Sequence, residues 1–273
     1  MRAPRILRPE DADALMDASV KPALWTALVP AAGRGSRLEF AGPKILFLVG
    51  GQTILQRLVD LLSPRCSQLV FVLSPEGAVQ VEDPIARLVP GRYRIALQAQ
   101  PRGMADAVAC GLPLVATRNV LVIWGDQVAV RPASLDFAMR VHQGAAQPAA
   151  SCPTLWRDRP YVHFDRDESG QILRVLQARE ADSLPPRGES DSGVFLFRTE
   201  ALSWWLPRLL ESPDCVGRKT GEFNFLPIFP MLDAEAGRLV TLPIMTQAES
   251  VGVNSRADAE YLERHLSADQ PKP

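Results

Sequence analysis

The chain has 273 residues, 47% of them hydrophobic and 22% charged, enough for one large α/β domain or two small ones around a sizeable core. Lys plus Arg (30) nearly balances Asp plus Glu (31), which excludes wrapping of nucleic acid or binding to an anionic membrane, since both need a basic excess. No stretch reaches the roughly 20 apolar residues of a membrane span, and residues 1–10 lack the apolar run of a signal peptide. The four cysteines (Cys66, Cys110, Cys152, Cys215) are scattered and the histidines (His142, His163, His265) far apart. That pattern excludes a Cys/His zinc cluster and predicts reduced thiols in a cytoplasmic protein.

In chain order, residues 1–20 form a leading segment with a short helix over 11–16. Short, wholly apolar strands then alternate with helical stretches: strands over 24–29, 68–73, 93–98 and 119–124, the last expected at the sheet centre, with helices over 52–62, 76–89 and 104–115 between them. This rhythm predicts an α/β fold, a Rossmann-like, doubly wound, mainly parallel mixed sheet covered on both faces. Composition shifts over 144–158, which is rich in Ala, Pro and Gln. A hairpin follows over 161–165 and 171–177, with Asp167-Glu168-Ser169-Gly170 as its turn. Residues 181–192 show no core pattern and read as a mobile loop. Strands over 193–198 and 239–244 and a helix over 257–266 complete the chain, and Trp204-Trp205 belongs to an amphipathic helix packed on the sheet. The expected division is a leading segment (1–20), a catalytic domain (21–266) with a nucleotide-binding half to about residue 145 and an acceptor-binding half after it, and a tail (267–273).

The first strand runs into Ala31-Ala32-Gly33-Arg34-Gly35-Ser36-Arg37-Leu38, with Pro43-Lys44 close behind. Small residues at Ala31, Ala32, Gly33 and Gly35 let backbone N–H groups converge on one concavity, as a phosphate-holding loop requires. Arg37 and Lys44 add fixed positive charge there. No Gly-Lys-Ser/Thr follows, so this is not a Walker loop, and Leu38 occupies the third glycine place of a dinucleotide fingerprint. Asp126 ends an apolar strand, which brings its carboxylate to the carboxyl edge of the sheet, where open α/β folds bind ligands and where a lone carboxylate suits Mg²⁺. Gln98 carries an amide able to donate to one edge atom of a base and accept from the next.

With these residues quoted, the chain resembles the sugar-1-phosphate nucleotidyltransferases, most of all the N-acetylglucosamine-1-phosphate uridylyltransferase domains. The signature L-A-A-G-x-G-T-R-M…P-K-x-L is matched by residues 30–38 and 43–46, with Ser36 in the Thr place. G-x-P-I-L is matched by Gly51-Gln52-Thr53-Ile54-Leu55, Q-x-x-x-x-G-T by Gln98…Gly103-Met104, and the strand-then-Gly-Asp element by residues 120–126. G-E-x-x-x-T-D is partly matched by Gly221-Glu222-Phe223, and E-x-x-G-V-N by Glu249…Asn254. The resemblance implies the nucleotide-diphospho-sugar transferase fold, with nucleotide contacts from Ala31, Ala32, Gly33, Gly35, Ser36, Arg37, Gln98 and Gly103. It also implies catalysis by Arg37, Lys44 and Asp126, and Mg²⁺ held by Asp126 and Asn254. N-capping of the last helix is the competing role for Asn254.

Acceptor contacts are expected from His163, Gln177, Asp191 and Glu222, and here the chain departs from the family. Y-G-R-I is Tyr161-Val162-His163-Phe164, V-E-x-K-D is Leu176-Gln177-Ala178-Arg179-Glu180, and E-x-N-T-G is Glu189-Ser190-Asp191-Ser192-Gly193. Several changed polar contacts imply an acceptor other than N-acetylglucosamine 1-phosphate. The expected reaction transfers a nucleoside monophosphate from a triphosphate, UTP or dTTP, to a phosphorylated acceptor such as a sugar 1-phosphate, releasing pyrophosphate. The rivals are a cytidylyl- or guanylyltransferase acting on a non-sugar phosphate or phosphonate, and a silent nucleotide-binding module.

Overall fold

The computed structural model describes residues 4–33, 35–235 and 237–268. The strands expected from apolar runs form with ends within two residues of those read from sequence. β1 (Trp25–Pro30) leads through the loop at Ala31 into a small ladder, β2 (Leu48–Val49) and β3 (Gln52–Thr53), and then α1 (Ile54–Leu62). Thr53 accepts from the Gln56 N–H and so caps α1. β4 (Gln68–Leu73) precedes α2 (Pro75–Leu88), whose cap Ser74 accepts from Gly77 and whose first residue is proline, a favoured start. β5 (Tyr93–Leu97), α3 (Met104–Gly111), β6 (Asn119–Ile123) and α4 (Pro132–Gln143) follow.

After α4 come β7 (Ala150–Asp158), β8 (Val162–Arg166), β9 (Ile172–Gln177), β10 (Arg187–Asp191) and β11 (Val194–Arg198). α5 (Thr199–Glu211), α6 (Ile228–Asp233), β12 (Leu239–Leu242) and α7 (Arg256–Ala268) close the fold. The main sheet runs β10-β7-β11-β6-β1-β4-β5, with β12 on β7, and β6 is central as expected. β6, β1, β4 and β5 are parallel, while β11 lies antiparallel between β6 and β7. The sheet is therefore mixed, mainly parallel in its first half, and continuous across both halves of the chain.

Alternation along each strand builds a core on either face. Trp25, Ala27, Val29, Leu121, Ile123, Val194 and Leu196 pack to one side with α1, α2, α4 and α7. Leu28, Val120, Val122, Phe195 and Phe197 pack to the other with α3, α5 and α6. Phe195, Phe225 and Phe229 form the aromatic centre of this second core, and Trp124 joins it edge-on. In α5, Trp205 packs inward but Trp204 is 59% exposed, with Arg208 stacked on its ring at 3.6 Å.

Three expectations need correction. The stretch 144–158, which shows only a change of composition, contains the longest strand, β7, because Ser151 and Thr154 find partners in His142 and Glu189. The loop over 181–192 is half strand: Gly188, Glu189 and Ser190 are buried in β10. Arg166 neutralises the Glu189 carboxylate at 2.7 Å. The helix over 11–16 is a 3₁₀ turn, Pro9–Asp11. Leu7, Ala12 and Leu15 are instead drawn into the first core, while Leu7 N–H bonds the Thr241 carbonyl of β12. Of the expected tail, residues 267 and 268 belong to α7 and 269–273 lie outside the described residues.

Candidate active site

Three segments from distant parts of the chain meet at the carboxyl ends of β1 and β6. Gly125 lets them close up: a Cβ there would lie 2.6 Å from the Pro30 carbonyl oxygen. Asp126 follows directly, and its backbone carbonyl accepts from Val253 N–H at 3.0 Å, while Gln127 bridges Gly252. Gly252 is there for space, since a Cβ would sit 2.8 Å from the Asp126 carboxylate. This short backbone pairing puts Asp126 and Asn254 side by side, 128 positions apart in sequence. Glu249, buried, anchors the turn before it by accepting from the Arg131 and Thr246 N–H groups and pairing with the Arg131 guanidinium at 3.0 Å.

The third segment brings Lys44. Its Nζ donates to Asp126 Oδ2 at 2.6 Å and to Asn254 Oδ1 at 2.9 Å, and Arg37 donates to the same Asn254 oxygen at 3.4 Å. Gly35, at φ +63°, leaves room for the Lys44 stem, which a Cβ would approach at 3.0 Å. The helix cap that competed for Asn254 is made by other residues. Ser255 accepts from Asp258 N–H, and Asp258 accepts from Ser255 N–H, a reciprocal box that leaves the Asn254 side-chain oxygen facing the site.

Two oxygens, one anionic and one neutral, thus converge on a single point already filled by an ammonium. That donor set fits a hard divalent cation such as Mg²⁺, which accepts one or two protein oxygens and completes its shell with phosphate and water. Among the described residues no group of three or more His, Cys, Asp or Glu could hold a metal by itself.

Ala31, Ala32 and Gly33 border an open cleft with Phe40, Pro43, Ser74 and Gln80, and Ala31 and Gly33 border a second beside Lys44 and Asp126. Ser36 and Arg37 begin a single 3₁₀ turn beside them. Gln98 is buried at the end of β5, where its amide N–H₂ donates to the Gly103 carbonyl at 3.0 Å and to Asp106 at 2.8 Å. Only its oxygen is left for a base. Gly103 has φ +116°, and a Cβ would lie 2.5 Å from Phe223 N. The sequence had not shown that the two family segments meet here: Phe223 N–H bonds the Arg102 carbonyl at 2.7 Å and Ala105 N–H bonds the Phe223 carbonyl at 3.0 Å.

A pocket next to Asp126 and Asn254 is lined by Gln177 and Asp191, two of the four expected acceptor residues, and by Gln127, Arg157, Tyr161 and Arg179. Glu222 stays outside its lining and pairs with Arg179. His163 does not join it either. β8 alternation turns Val162 toward the pocket, and the His163 ring packs over Gly188, with Nδ1 3.3 Å from the Glu189 carbonyl oxygen. Burial drives the Asp191 carboxyl up to about 6, against the Gly193 N–H, its own backbone and the Arg157 charge. Glu180 goes the other way. Burial would raise it, but the Thr220 hydroxyl, the Asn224 amide and the Lys219 and Thr220 N–H groups together hold it at about 2. This residue, whose role the sequence did not reveal, shapes the loop that carries Glu222 and Phe223.

The open mixed sheet, with a small-residue loop and a Lys–Asp–Asn cluster at its carboxyl edge, defines a nucleotidyltransferase-type α/β protein. The MobA-like NTP transferase domain model matches residues 27–189, more than half of the chain, and the chain belongs to that family of nucleotidyltransferases. It is 29% identical over 248 residues to the bifunctional protein GlmU of Chromohalobacter salexigens, covering 89% of this chain and 52% of that protein. Against the GlmU of Cellvibrio japonicus it is 28% identical, covering 90% and 52%. The chain thus spans about half the length of the curated relatives it matches. Among solved structures, a nucleotidyl transferase from Methanothermobacter thermautotroptrophicus superposes with a TM-score of 0.60 at 18% identity, covering 90% of this chain and 99% of that one. A 4-diphosphocytidyl-2C-methyl-D-erythritolsynthase from Anaerococcus prevotii superposes at 0.62 and 14%, covering 90% and 100%. At these identities the likeness is one of fold.

Proposed function

We propose that the protein transfers a nucleoside monophosphate from a nucleoside triphosphate, with uracil or thymine as the base, to a phosphorylated small-molecule acceptor such as a sugar 1-phosphate, releasing pyrophosphate. The observation that carries this reading is the convergence of Lys44, Asp126 and Asn254 between the small-residue loop and the pocket beside it. Donor and acceptor then lie on either side of one charged cluster. An acceptor phosphate oxygen attacks the α-phosphorus in line while pyrophosphate leaves on the opposite side. A phosphate monoester is already ionised at neutral pH, so no general base is needed, and positioning and charge neutralisation supply most of the rate enhancement.

Arg37, 3.4 Å from Asn254 and largely exposed, is placed to hold the departing pyrophosphate. Lys44 is placed to neutralise the α-phosphate once that phosphate competes for it with Asp126. Mg²⁺, held by Asp126 and Asn254, would polarise the α-phosphate and draw the two substrates' charges together. Because the Gln98 N–H₂ group is committed to Gly103 and Asp106, the base is read through the Gln98 oxygen, which accepts from an imide N–H of uracil or thymine. An exocyclic amino group could donate to the same oxygen, and this one observation favours a second reading, a cytidylyltransferase.

The deciding experiment is a matrix of nucleoside triphosphates against phosphorylated acceptors, with Mg²⁺ and a pyrophosphate readout. The proposal expects pyrophosphate release that depends on acceptor and is fastest with UTP or dTTP. Release fastest with CTP would install the second reading. No release from any pair would defeat both.

A further inference from the structure

The acceptor pocket is lined by two basic side chains, and one of them is already answered. Arg179 meets Glu180 at 3.3 Å and also Glu222. Arg157, at the end of β7, is different. It lines the pocket, no carboxylate among the described residues lies within ion-pair distance of it, and its Nε is buried without a hydrogen-bond partner. A buried guanidinium nitrogen without an acceptor costs free energy that a bound oxyanion would recover. In the same lining, Gln127 is buried with its side-chain oxygen unpartnered among the described residues, and Gly193 makes room for it, since a Cβ there would lie 2.5 Å from the Gln127 amide nitrogen. The lining therefore offers one donor without an acceptor and one acceptor without a donor. Gln177 is neutral, and the carboxylates in the lining are Asp126, paired with Lys44, and Asp191, which accepts from Gly193 N–H and feels the Arg157 charge from beyond ion-pair distance.

We infer that the acceptor carries a second oxyanion, a carboxylate or a further phosphoryl group, bound by Arg157 on the side of the pocket away from the reacting phosphate, with a hydroxyl donating to Gln127. Arg157 is then the residue that selects anionic over neutral acceptors. The inference deepens the proposed function and rests on its assignment of this pocket to the acceptor.

Calorimetric titration tests it, with Mg²⁺ present and no nucleotide, using a hexose 1-phosphate, the hexose 1,6-bisphosphate and the 1-phosphate of the matching hexuronic acid. The unmodified protein is expected to bind one of the two doubly anionic ligands about 10–100-fold more tightly than the hexose 1-phosphate, the range of a charge-assisted hydrogen bond. Whichever wins tells a phosphoryl from a carboxyl group. Arg157→Gln should erase that ratio and Arg157→Lys should keep part of it; because the ratio is internal to each variant, a general loss of fold cannot imitate it. Equal binding of all three ligands, binding of none, or an equal weakening of all three in Arg157→Gln would overturn the inference. Acceptor-dependent pyrophosphate release without anion selectivity sinks this inference alone. Anion selectivity without pyrophosphate release from any pair sinks the proposed reaction instead.

Discussion

The two sides of the site, proposed above to hold donor and acceptor, are built by different means. Around the loop at Ala31 and the Asp126 strand end, position is set by backbone: Gly125 under Pro30, Gly252 against the Asp126 carboxylate, Gly103 against Phe223. Around the acceptor pocket it is set by side chains, through Arg166 on Glu189, Arg179 on Glu222 and the Glu180 network. Backbone closeness tolerates almost no substitution, because a Cβ would meet main-chain atoms at Gly125 and Gly103 and would push the site carboxylate aside at Gly252. Side-chain pairs can be exchanged for others of similar shape. This contrast fits the closer match to the family pattern of the segments around Ala31 and Asp126 than of those from Tyr161 to Gly193.

Removing the shared carboxylate should have the largest effect. Asp126→Ala is expected to lower pyrophosphate formation by about 1,000-fold or more with an unchanged circular dichroism spectrum, the scale of losing a charge-stabilising group. Near-normal turnover would show that the two sides do not share Asp126. Gly252→Ala tests the backbone rule on the donor side. The new Cβ displaces the carboxylate, and a shift of about 1 Å is enough for a loss of roughly 100-fold in kcat with little change in melting temperature.

Glu189→Gln is the acceptor-side counterpart. It leaves the Arg166 guanidinium without its charge partner in a buried setting, so unfolding in urea should show a loss of about 2 kcal/mol. KM should rise for the acceptor and not for the triphosphate. A rise confined to the triphosphate would break the contrast.

The smallest effect is a slope with pH. Asp191, at about 6 in the folded protein against an ordinary 3.8, holds a proton between those values that the unfolded chain has released. Its contribution to stability is therefore lost as pH rises from about 4 to about 6, and stays lost above that. Asp191→Asn should melt higher than the unmodified protein at pH 7.5, with the gain vanishing near pH 4. Glu180, held at about 2, has the opposite sign: its contribution is present above its ordinary 4.5 and disappears as pH falls toward 2. Equal melting of the unmodified protein and the Asp191→Asn variant at both pH values would show that Asp191 is not held at a raised pKa.

Much of the fold was legible in residue order because β1, β4 and β6 are buried on both faces and are apolar but for Thr26, Gln68 and Asn119. β7 and β10 escaped notice because their polar residues, Ser151, Thr154, Glu189 and Ser190, are acceptable in a sheet only with partners supplied by other elements, His142 of α4, Arg166 and Val162 of β8, and, for Thr154, Glu189 itself. In the site, Lys44, Asp126, Asn254 and the glycines announced themselves through motif order. Arg157 and Gln127 carried no motif, and His163 was misjudged because strand alternation decides which face a hairpin residue presents.

What the sequence by itself determined is the small-residue loop at Ala31 and the strand that leads to Asp126, since small residues and an apolar run have few other structural uses. Only the tertiary structure decided that Lys44 stands between Asp126 and Asn254, that Ser255 and Asp258 relieve Asn254 of capping, and that Arg157 lines the pocket with its Nε unpartnered among the described residues. The physical reason is that charges and buried polar atoms are satisfied through space, and their partners come from whichever segment the packed sheet brings within about 3 Å.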